Sequence, residues 1–479
     1  LLNEPRRPYS GPTGGPIIAG SKDRRAMSNN RAGHRKGFMC RDALPMTAYN
    51  LALWAGATAA LPVGLPVMLL HEKRRRTVPY RLGLKTPTSA SRRAGLRPDG
   101  PKLIWVHALS VGETISAETL MAALIERYGR RRLFFSVSTQ SGYATARRLF
   151  ADRVGGIGYF PYDLAPCVAA ISRRVDPAMV VVVESDLWPN FMHTQQSKGV
   201  PVVLVNARLS KRTFSGYKRF SVVTRGMLQA FSAVCAQTSA DARRFVDLGV
   251  APERVMVSGN LKFDQTLVPP TTNWLASQRD LLGVASGGKV LVAGSTHPGE
   301  EQIVLDAFKR LRRHDGVLLV VVPRDPKRAP RIVDDCQAAG FKARTYTQLA
   351  RRSKPVEPAV VVVDRLGLLR DLYALADVAV VGGSLVPLGG HNPIEAAAHA
   401  RPVLFGPHMD NFAQVSKLFL SGGGAVRVKN ANQFARAAQQ WLDDPAMADA
   451  AGAQAREVWA AHGGAVEKTV QQIVKVLPS

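Results

Sequence analysis

The segment Gly382–Met409 reads GGSLVPLGGHNPIEAAAHARPVLFGPHM and is the most informative stretch of this chain. It follows an apolar run, Val378–Val381, that is typical of a buried strand. A glycine-rich turn comes next, and then Asn392, Pro393 and Glu395 stand where a helix begins. Asparagine at the N-cap, proline at the first helical position and glutamate at the third form a helix-start signature. The segment therefore predicts a strand, a glycine turn and a capped helix.

The start of this predicted helix suits a phosphate group. Its first backbone N–H groups have no partner within the helix and lie at the positive end of the helix dipole. Glu395, one turn into the helix, can accept hydrogen bonds from ribose hydroxyls. A capped structural helix is the other interpretation. Glycines on both sides of the HNPIE sequence favour a pocket for a sugar nucleotide.

The composition is that of a folded protein with more than one domain. The chain has 479 residues, of which 46% are hydrophobic and 21% charged. Its four cysteines show no metal-ligand or CxxC spacing, so we expect unpaired thiols in a reducing compartment. The net charge is +28, with 18 Lys/Arg against 5 Asp/Glu in residues 1–100 and 46 against 31 in the remainder. An anionic membrane suits this charge, whereas no nucleic-acid-binding signature is present and we predict no nucleic-acid partner.

One long apolar segment lies near the N-terminus. No residue in the segment 43–70 is charged, and such a segment can cross a hydrocarbon core of about 30 Å. We predict an uncleaved membrane anchor at 46–70, because the basic run Lys73–Arg76 follows it; a cleaved signal peptide is the alternative. Residues 1–45 are polar and unpatterned, which predicts a disordered or non-native extension with Met46 as the initiator. With that start, the positive-inside rule places the body on the cytoplasmic side.

Beyond a predicted basic linker at 71–100, apolar strands alternate with helical segments in two series. This alternation predicts an α/β protein with two Rossmann-like domains, 101–267 and 286–479, which are joined by a linker at 268–285 and face each other across a cleft. Ligands of such sheets bind beyond the carboxyl ends of the strands. The predicted strands are Leu103–Ala108, Leu133–Val137, Ala178–Val183, Val202–Val205, Val234–Ala236, Val255–Val257, Val290–Ala293, Val317–Val322, Val360–Val363, Val378–Val381 and Val403–Phe405.

The first strand of the first domain runs into the sequence SVGE, which ends at Glu113. Ser110 and Glu113 have the spacing of a capping box, so Glu113 is either a helix-capping carboxylate or a general base at the floor of the cleft. The residues after Ser110 predict one amphipathic helix that ends near Gly129.

Further charged residues follow other strands of the first domain. Glu184 is either a buried acid with a raised pKa or a structural acid paired with an arginine. Lys262 lies near the predicted domain junction and can neutralise a phosphate or a carboxylate. Arg208, Lys211 and Arg212 belong to a basic loop that is either a solvated surface or a binding site for an anionic acceptor.

In the second domain, two polar segments follow strands. The segment 294–301, GSTHPGEE, leads into a helix, and Arg324 places a guanidinium just beyond the next strand; both suit phosphate or base recognition. His297, His391 and His408 have no metal-ligand spacing, and we predict no metal site. No GxGxxG follows the first strand of either domain, which argues against a dehydrogenase.

Taken in order, these segments resemble one family closely. They are HALSVGE, YFPYD, ESDLWPN, VNARLS, GNLKFD, AGSTHPGEE, VPRDP and GGSLVPLGGHNPIEAAA, and they span roughly residues 102–427. The chain resembles the Kdo transferases of lipopolysaccharide biosynthesis, which move 3-deoxy-D-manno-octulosonic acid (Kdo) from CMP-Kdo to the lipid A precursor. The resemblance implies a GT-B glycosyltransferase that follows a membrane anchor, inverts the anomeric carbon and needs neither metal nor cofactor.

The resemblance also implies roles for individual residues. Glu113 would be the general base, and Glu184 and Lys262 would stabilise the transition state. The family usually has Leu or Met, then Gly and Glu, ahead of the GGS turn, whereas this triplet ends in Leu368. The acceptor would be the tetraacyl precursor lipid IVA at the cytoplasmic face of the bacterial inner membrane. The CMP part of the donor would contact Pro323, Arg324, Leu366, Gly367, Leu368, Asn392, Pro393, Ile394 and Glu395.

Two other functions stay open from the sequence. One is a GT-B transferase that uses a UDP-sugar on another lipid, which donor competition between CMP and UDP would separate. The other is a non-catalytic lipid-binding membrane protein. The presence of Glu113, Glu184, Lys262 and Arg324 argues against a decayed site.

Overall fold

Two parallel sheets dominate the architecture. A computed structural model of the protein describes residues 43–70, 72–85, 102–184, 187–264, 269–311, 316–351 and 357–477. The first sheet, in the first half of the molecule (102–264), contains β1 (Leu103–Ala108), β2 (Leu133–Val137), β3 (Gly156–Tyr159), β4 (Pro177–Val183), β5 (Val202–Ala207), β6 (Phe231–Ala236) and β7 (Val255–Val257). The second sheet, in the second half (269–461), contains β8 (Lys289–Thr296), β9 (Val317–Pro323), β10 (Ala343–Thr345), β11 (Val360–Val362), β12 (Val378–Val381), β13 (Val403–Phe405) and β14 (Ala425–Arg427).

Helices follow most of the strands and cover the sheets. Those of the first half and its N-terminal extension are α1 (Ala43–Leu70), α2 (Glu72–Arg81), α3 (Val111–Ser116), α4 (Glu118–Tyr128), α5 (Gln140–Phe150), α6 (Ala165–Val175), α7 (Pro189–Ser197), α8 (Lys211–Arg219), α9 (Ser221–Gln229) and α10 (Ser239–Asp247). The remainder are α11 (Thr272–Leu282), α12 (Glu300–Leu311), α13 (Ala329–Ala338), α14 (Tyr346–Ala350), α15 (Leu369–Tyr373), α16 (Ile394–Ala398), α17 (Ala413–Ser421), α18 (Ala431–Asp443), α19 (Pro445–Ala461) and α20 (Ala465–Val476).

The strand order in both sheets is that of doubly wound folds. It is β3-β2-β1-β4-β5-β6-β7 in the first sheet and β10-β11-β9-β8-β12-β13-β14 in the second. Val181 and Val183 pack into the core on one face of the first sheet, and Val180 and Val182 pack into the core on the other. Burial on both faces explains why the central strands are continuous apolar runs. The prediction of an α/β protein with two parallel sheets is confirmed.

Three strands that the sequence analysis did not predict lie at or near the sheet edges. β3 has the sequence GIGY, β10 is ART and β14 is AVR. They are short, and glycine or charged residues interrupt their apolar pattern, so they lack the valine-rich signal of the central strands. All eleven predicted strands are present, several of them extended by one or more residues.

The predicted single helix after Ser110 is wrong, because two helices, α3 and α4, meet at Ala117. Side chains in α3 bond to its own backbone: the Thr114 hydroxyl donates to the Ser110 carbonyl oxygen and the Ser116 hydroxyl donates to that of Glu113. Such local bonds compete with regular helix geometry, and the helix is interrupted after α3.

Some segments near the predicted domain boundaries form helices that pack on one half. α11 lies within the predicted linker 268–285, and its Leu282 is buried in the core of the second half. α2 lies within the predicted basic linker 71–100, and its Arg81 donates to the Phe160 carbonyl oxygen in the first half at 3.1 Å. Most of the predicted extension 1–45 lies outside the described residues.

The predicted membrane-spanning anchor at 46–70 is not confirmed. The segment forms α1, but in the described part of the chain no helix is long and apolar enough to cross a membrane. The first turns of α1 carry polar residues that bond to the first half. The Tyr49 hydroxyl donates to Asp163 at 2.9 Å, and the Asn190 amide donates to the Asn50 side-chain oxygen at 2.7 Å.

The last helix, α20, crosses back and packs on the first half. Its Ala465, Val466 and Ile473 are buried in the core of the first sheet. The Asp264 carboxylate accepts the backbone N–H of Val466 in the first turn of α20. Asp264 therefore fastens the C-terminal helix to the segment that carries Lys262.

We expect Asp264→Ala to loosen α20 selectively. The variant removes an acceptor at the helix start, which costs about 1–2 kcal/mol in the free energy of local opening. Hydrogen exchange of the α20 amides measures this loss. Lys468→Ala, at an exposed position of the same helix, is the control and should change the opening free energy by less than about 0.5 kcal/mol. Equal exchange rates in the two variants would contradict the prediction.

Candidate active site

A cleft of about 430 Å³ lies between the two halves, which is within the usual range of about 300–1,000 Å³ for small-molecule sites. It adjoins the carboxyl ends of β1 and β4 in the first sheet and of β8 and β12 in the second, where the strand order of each sheet reverses. The residues that line it and enter the argument below are Ser110, Glu113, Glu184, Arg208, Lys262, Ser295, Arg324, Leu369, Tyr373, His391, Asn392, Glu395, Asn411 and Phe412.

Glu113 lines the cleft, and Ser110 caps the helix that carries it. The Ser110 hydroxyl accepts the Glu113 backbone N–H at 3.4 Å, and the Glu113 carboxylate accepts the backbone N–H of Leu109. The predicted capping box is therefore half formed, because the Glu113 carboxylate binds the N–H of Leu109 and not that of Ser110. The role of Glu113 as a general base stays a prediction.

Glu184 and Lys262 form an ion pair on the wall of the first half. The Lys262 Nζ atom lies 3.9 Å from Glu184 Oε1, and both side chains are largely buried. Glu184 follows β4 in a left-handed conformation with φ of 68°, which is unusual for a residue other than glycine. The ion pair shows that Glu184 is paired with a lysine and not with the arginine that one interpretation of the sequence expected.

Two histidines on the second half share a contact beside Arg324. The Nε2 atoms of His297 and His391 lie 2.8 Å apart, and the two rings are parallel. Burial lowers the pKa of His391 to about 4, with further lowering from the charge of Arg324 and from His297. At neutral pH His391 is uncharged.

Glu395 also lies in a desolvated environment. Burial raises the pKa of its carboxyl group, while Arg370, a hydrogen bond from Asn392 and the charge of Arg324 lower it in part. A carboxyl group in this setting can hydrogen-bond hydroxyl groups of a ligand. Within the described residues, no group of three or more His, Cys, Asp or Glu side chains can hold a metal ion, and the absence of a metal from the reaction stays a prediction.

A fully buried carboxylate, that of Glu300, organises the loops of the second half. It accepts backbone N–H groups from His297 at 3.0 Å, Gly383 at 2.6 Å, Ser384 at 3.0 Å and Leu385 at 2.9 Å. These bonds join the loop after β8 to the loop after β12. Glu300 thereby holds in place the loops that carry His297 and His391.

The predicted helix start at Asn392 is shifted. The helix α16 is only five residues long, and its N-cap is Pro393 rather than Asn392. The Asn392 side chain nevertheless accepts the backbone N–H of Ile394 at 3.1 Å. Asn392 and Glu395 line the cleft, whereas Pro393 and Ile394 are buried behind it.

The other predicted site residues are distributed as follows. Arg324 and Arg208 line the cleft, and Pro323 is the buried last residue of β9. Lys211 and Arg212 are exposed on α8 and are not among the lining residues. The triplet of Leu366, Gly367 and Leu368 also does not line the cleft; Leu366 is 74% exposed, and it is the next residue, Leu369, that reaches the cavity.

Several lining residues were missed by the sequence analysis. Tyr373, Asn411 and Phe412 lie at a helix end or in a short 3₁₀ helix and carry no recognisable motif, whereas Ser295 belongs to the predicted segment 294–301. Ser295 has a φ of 56° in a bulge at the end of β8. No local sequence pattern could have identified Tyr373, Asn411 or Phe412, because the residues that they meet in the cleft are far away along the chain.

Comparison with known proteins identifies the family. A family model described as 3-deoxy-D-manno-octulosonic-acid transferase (kdotransferase) matches residues 76–265. The 3-deoxy-D-manno-octulosonic acid transferase of Haemophilus influenzae is 31% identical over 374 residues, which are 77% of this chain and 86% of the relative. That of Bordetella pertussis is 32% identical over 397 residues, or 80% of this chain and 89% of the relative. The chain belongs to the Kdo transferase family. The members of this family are glycosyltransferases.

Other similarities concern part of a longer protein or the fold alone. A bifunctional glycosyltransferase/methyltransferase of Fusobacterium nucleatum is 33% identical over 70% of this Kdo transferase chain, which spans 52% of that relative. The structure of Anabaena Alr3699/HepE in complex with UDP is 17% identical, with a TM-score of 0.54 over 79% of this chain and 99% of that one. The UDP-GlcNAc 2-epimerase of Neisseria meningitidis, bound to UDP-GlcNAc, is 12% identical. The TM-score is 0.55, and the match covers 78% of this chain and 100% of that one. Both share the two-domain GT-B architecture.

The lowered pKa of His391 predicts acid sensitivity of the second half. Since the ordinary histidine pKa is 6.5 and the folded value is about 4, the unfolded chain binds more protons between these pH values and stability falls as the pH drops through this window. His391→Asn should reduce that fall by on the order of 1–3 kcal/mol. Urea unfolding at pH 7 and pH 4.5 measures it. Parallel stability curves for the variant and the wild type would argue against a depressed pKa at His391.

The contacts of Glu300 predict a large effect of a nearly isosteric change. Glu300→Gln turns one acceptor oxygen into an NH₂ group that faces backbone N–H donors, and we expect the free energy of unfolding to drop by about 2–3 kcal/mol. Glu253→Gln, at an exposed position of the first half, is the control and should leave stability within about 0.5 kcal/mol of the wild type. A Glu300→Gln protein as stable as this control would show that the four bonds contribute little.

Proposed function

We propose that this Kdo transferase moves Kdo from CMP-Kdo to the lipid A precursor lipid IVA, with inversion at the anomeric carbon and without a metal ion. One observation carries the proposal: the cleft unites Glu113 and the Glu184–Lys262 pair of the first half with Arg324 and Glu395 of the second. An acid–base group and a charge-stabilising pair thus face the groups suited to a nucleotide.

The second half is proposed to bind the CMP part of the donor. The Arg324 guanidinium can bond a phosphate through two N–H groups, and Glu395 can bond ribose hydroxyls. Asn392 and the neighbouring backbone border the same space. Leu366, Gly367 and Leu368 lie outside the lining of the cleft, and their contact with CMP stays a prediction. At position 368 only a backbone contact is possible, because leucine has no carboxylate.

The first half is proposed to carry the chemistry. An acceptor hydroxyl attacks the anomeric carbon of Kdo while the bond from that carbon to the phosphate oxygen breaks, and CMP leaves with the electron pair. Glu113 takes the hydroxyl proton. Glu184 stabilises the positive charge that develops on the sugar, and Lys262 stabilises the negative charge on the departing phosphate.

The acceptor side is proposed to lie at the cytoplasmic face of the bacterial inner membrane. α9 packs against α1, and both segments expose apolar side chains. Basic side chains on the neighbouring α8 suit anionic headgroups and the phosphates of lipid A. Arg208, Lys211 and Arg212 remain proposed acceptor contacts. The apolar residues of this surface are Leu51, Trp54, Leu61, Phe220 and Val222, and the basic ones are Lys211, Arg212, Lys218 and Arg219.

Product analysis tests the proposed reaction directly. The protein is incubated with lipid IVA and either CMP-Kdo or a UDP-sugar, with and without EDTA. The mass of the lipid product is then measured by mass spectrometry. We expect Kdo to be added to the lipid when CMP-Kdo is the donor and no sugar to be added from the UDP-sugar. EDTA should not change the yield. Sugar transfer from the UDP donor, or no transfer from CMP-Kdo, would contradict the proposal.

Glu113→Gln tests the assignment of the general base. An amide cannot take the proton, so kcat should fall by about 10²–10⁴-fold. The amide oxygen can still accept the Leu109 N–H, and thermal unfolding and CMP affinity should be unchanged. Glu118→Gln, in the following helix outside the cleft, is the control and should keep wild-type kcat. Near-normal turnover by Glu113→Gln would refute the assignment.

A further inference from the structure

Lys262 contacts both halves of the molecule. On its own half it faces Glu184, and on the opposite half its Nζ atom lies 4.5 Å from the centre of the Phe412 ring. An ammonium group over an aromatic face is attracted by the negative potential of the ring, and the attraction is stronger where water is excluded. The lysine is therefore held between a carboxylate of the first half and an aromatic ring of the second.

Phe412 belongs to a turn that is packed and hydrogen-bonded on the second half. It ends a short 3₁₀ helix, Asp410–Phe412, after β13, and its ring packs against the core of that half. The backbone N–H of Asn411 donates to the Gly389 carbonyl oxygen at 2.8 Å. Gly389 lies in the loop between β12 and α16 that also carries His391 and Asn392. The turn 410–412 is thus bonded to the proposed donor-binding loop.

The first half holds the same turn through a second contact. The Arg208 guanidinium donates to the carbonyl oxygens of Asn411 at 3.2 Å and of Asp410 at 3.4 Å. Arg208 comes directly after β5, and Lys262 lies in the segment Leu261–Asp264, yet both side chains contact the turn 410–412. These contacts bridge the cleft beside the Glu184–Lys262 pair.

We propose that Phe412 is a positioning residue, whose ring holds the Lys262 ammonium beside Glu184 while the turn 410–412 is docked against Arg208. The donor-binding half then sets the position of a charged group on the acceptor-binding half. This inference rests on the proposed function of Lys262 for its catalytic consequence, but the contact itself does not depend on it.

Two variants separate ring electrostatics from packing. Phe412→Leu keeps an apolar side chain and removes the ring, whereas Phe412→Tyr keeps the ring. We expect kcat for Kdo transfer to fall by about 3–30-fold in Phe412→Leu, with KM for CMP-Kdo within about twofold of the wild type. Phe412→Tyr should keep most of the wild-type kcat. Thermal unfolding checks that both variants fold.

A spectroscopic measurement tests the contact without turnover. In protein labelled with ¹³C at the lysine ε-carbon, the ring current of Phe412 should shift the Lys262 resonance, which is assigned by its loss in Lys262→Arg. The shift should disappear in Phe412→Leu and persist in Phe412→Tyr. If the wild type transfers no Kdo but shows this shift, the proposed function fails and the contact stands.

The inference is overturned by any of three results. One is an unshifted Lys262 resonance in the wild type. Another is wild-type kcat in Phe412→Leu. The third is an equal loss of kcat in the leucine and tyrosine variants, which would indicate simple packing.

Discussion

The cleft depends on one constraint, the parallel direction of the strands within each sheet. Parallel strands place all their carboxyl ends at one edge, and both sheets reverse their strand order at the centre, between β1 and β4 and between β8 and β12. The loops that follow these strands diverge and leave a crevice. When two such edges face each other, the residues after the strands meet, and the proposed catalytic residues of this Kdo transferase lie there.

The two sides of the cleft differ in how their charged groups are stabilised. On the first half, Glu184 and Lys262 neutralise each other at 3.9 Å, so two opposite charges persist in a largely buried place. On the second half, His391 loses its charge through burial, and Glu395 has a raised pKa. Positive charge reaches this wall from Arg324, which acts on both His391 and Glu395, and from Arg370, which acts on Glu395. Such a wall suits an anionic ligand that supplies the compensating charge.

Backbone geometry supports this arrangement. The carboxylate of Glu300 binds N–H groups from two loops, and Asp264 holds α20 against the segment that carries Lys262. Buried carboxylates that accept backbone N–H groups fix loops more firmly than side-chain contacts alone, because leaving those donors unpaired is costly. Positive φ values at Glu184 and Ser295 show that the chain turns sharply where the strands end beside the cleft.

The sequence by itself determined the parallel α/β architecture, the central strands and the carboxylates at their ends, because continuous valine-rich runs and glycine turns are local signals. It did not reveal the short strands β3, β10 and β14, the break at Ala117 or the docking of α1. Only the tertiary structure decided that Glu300 gathers four N–H groups, that His297 meets His391, and that Phe412 reaches Lys262. These partners lie far apart along the chain, and their contacts arise from packing between elements, for which no local pattern exists.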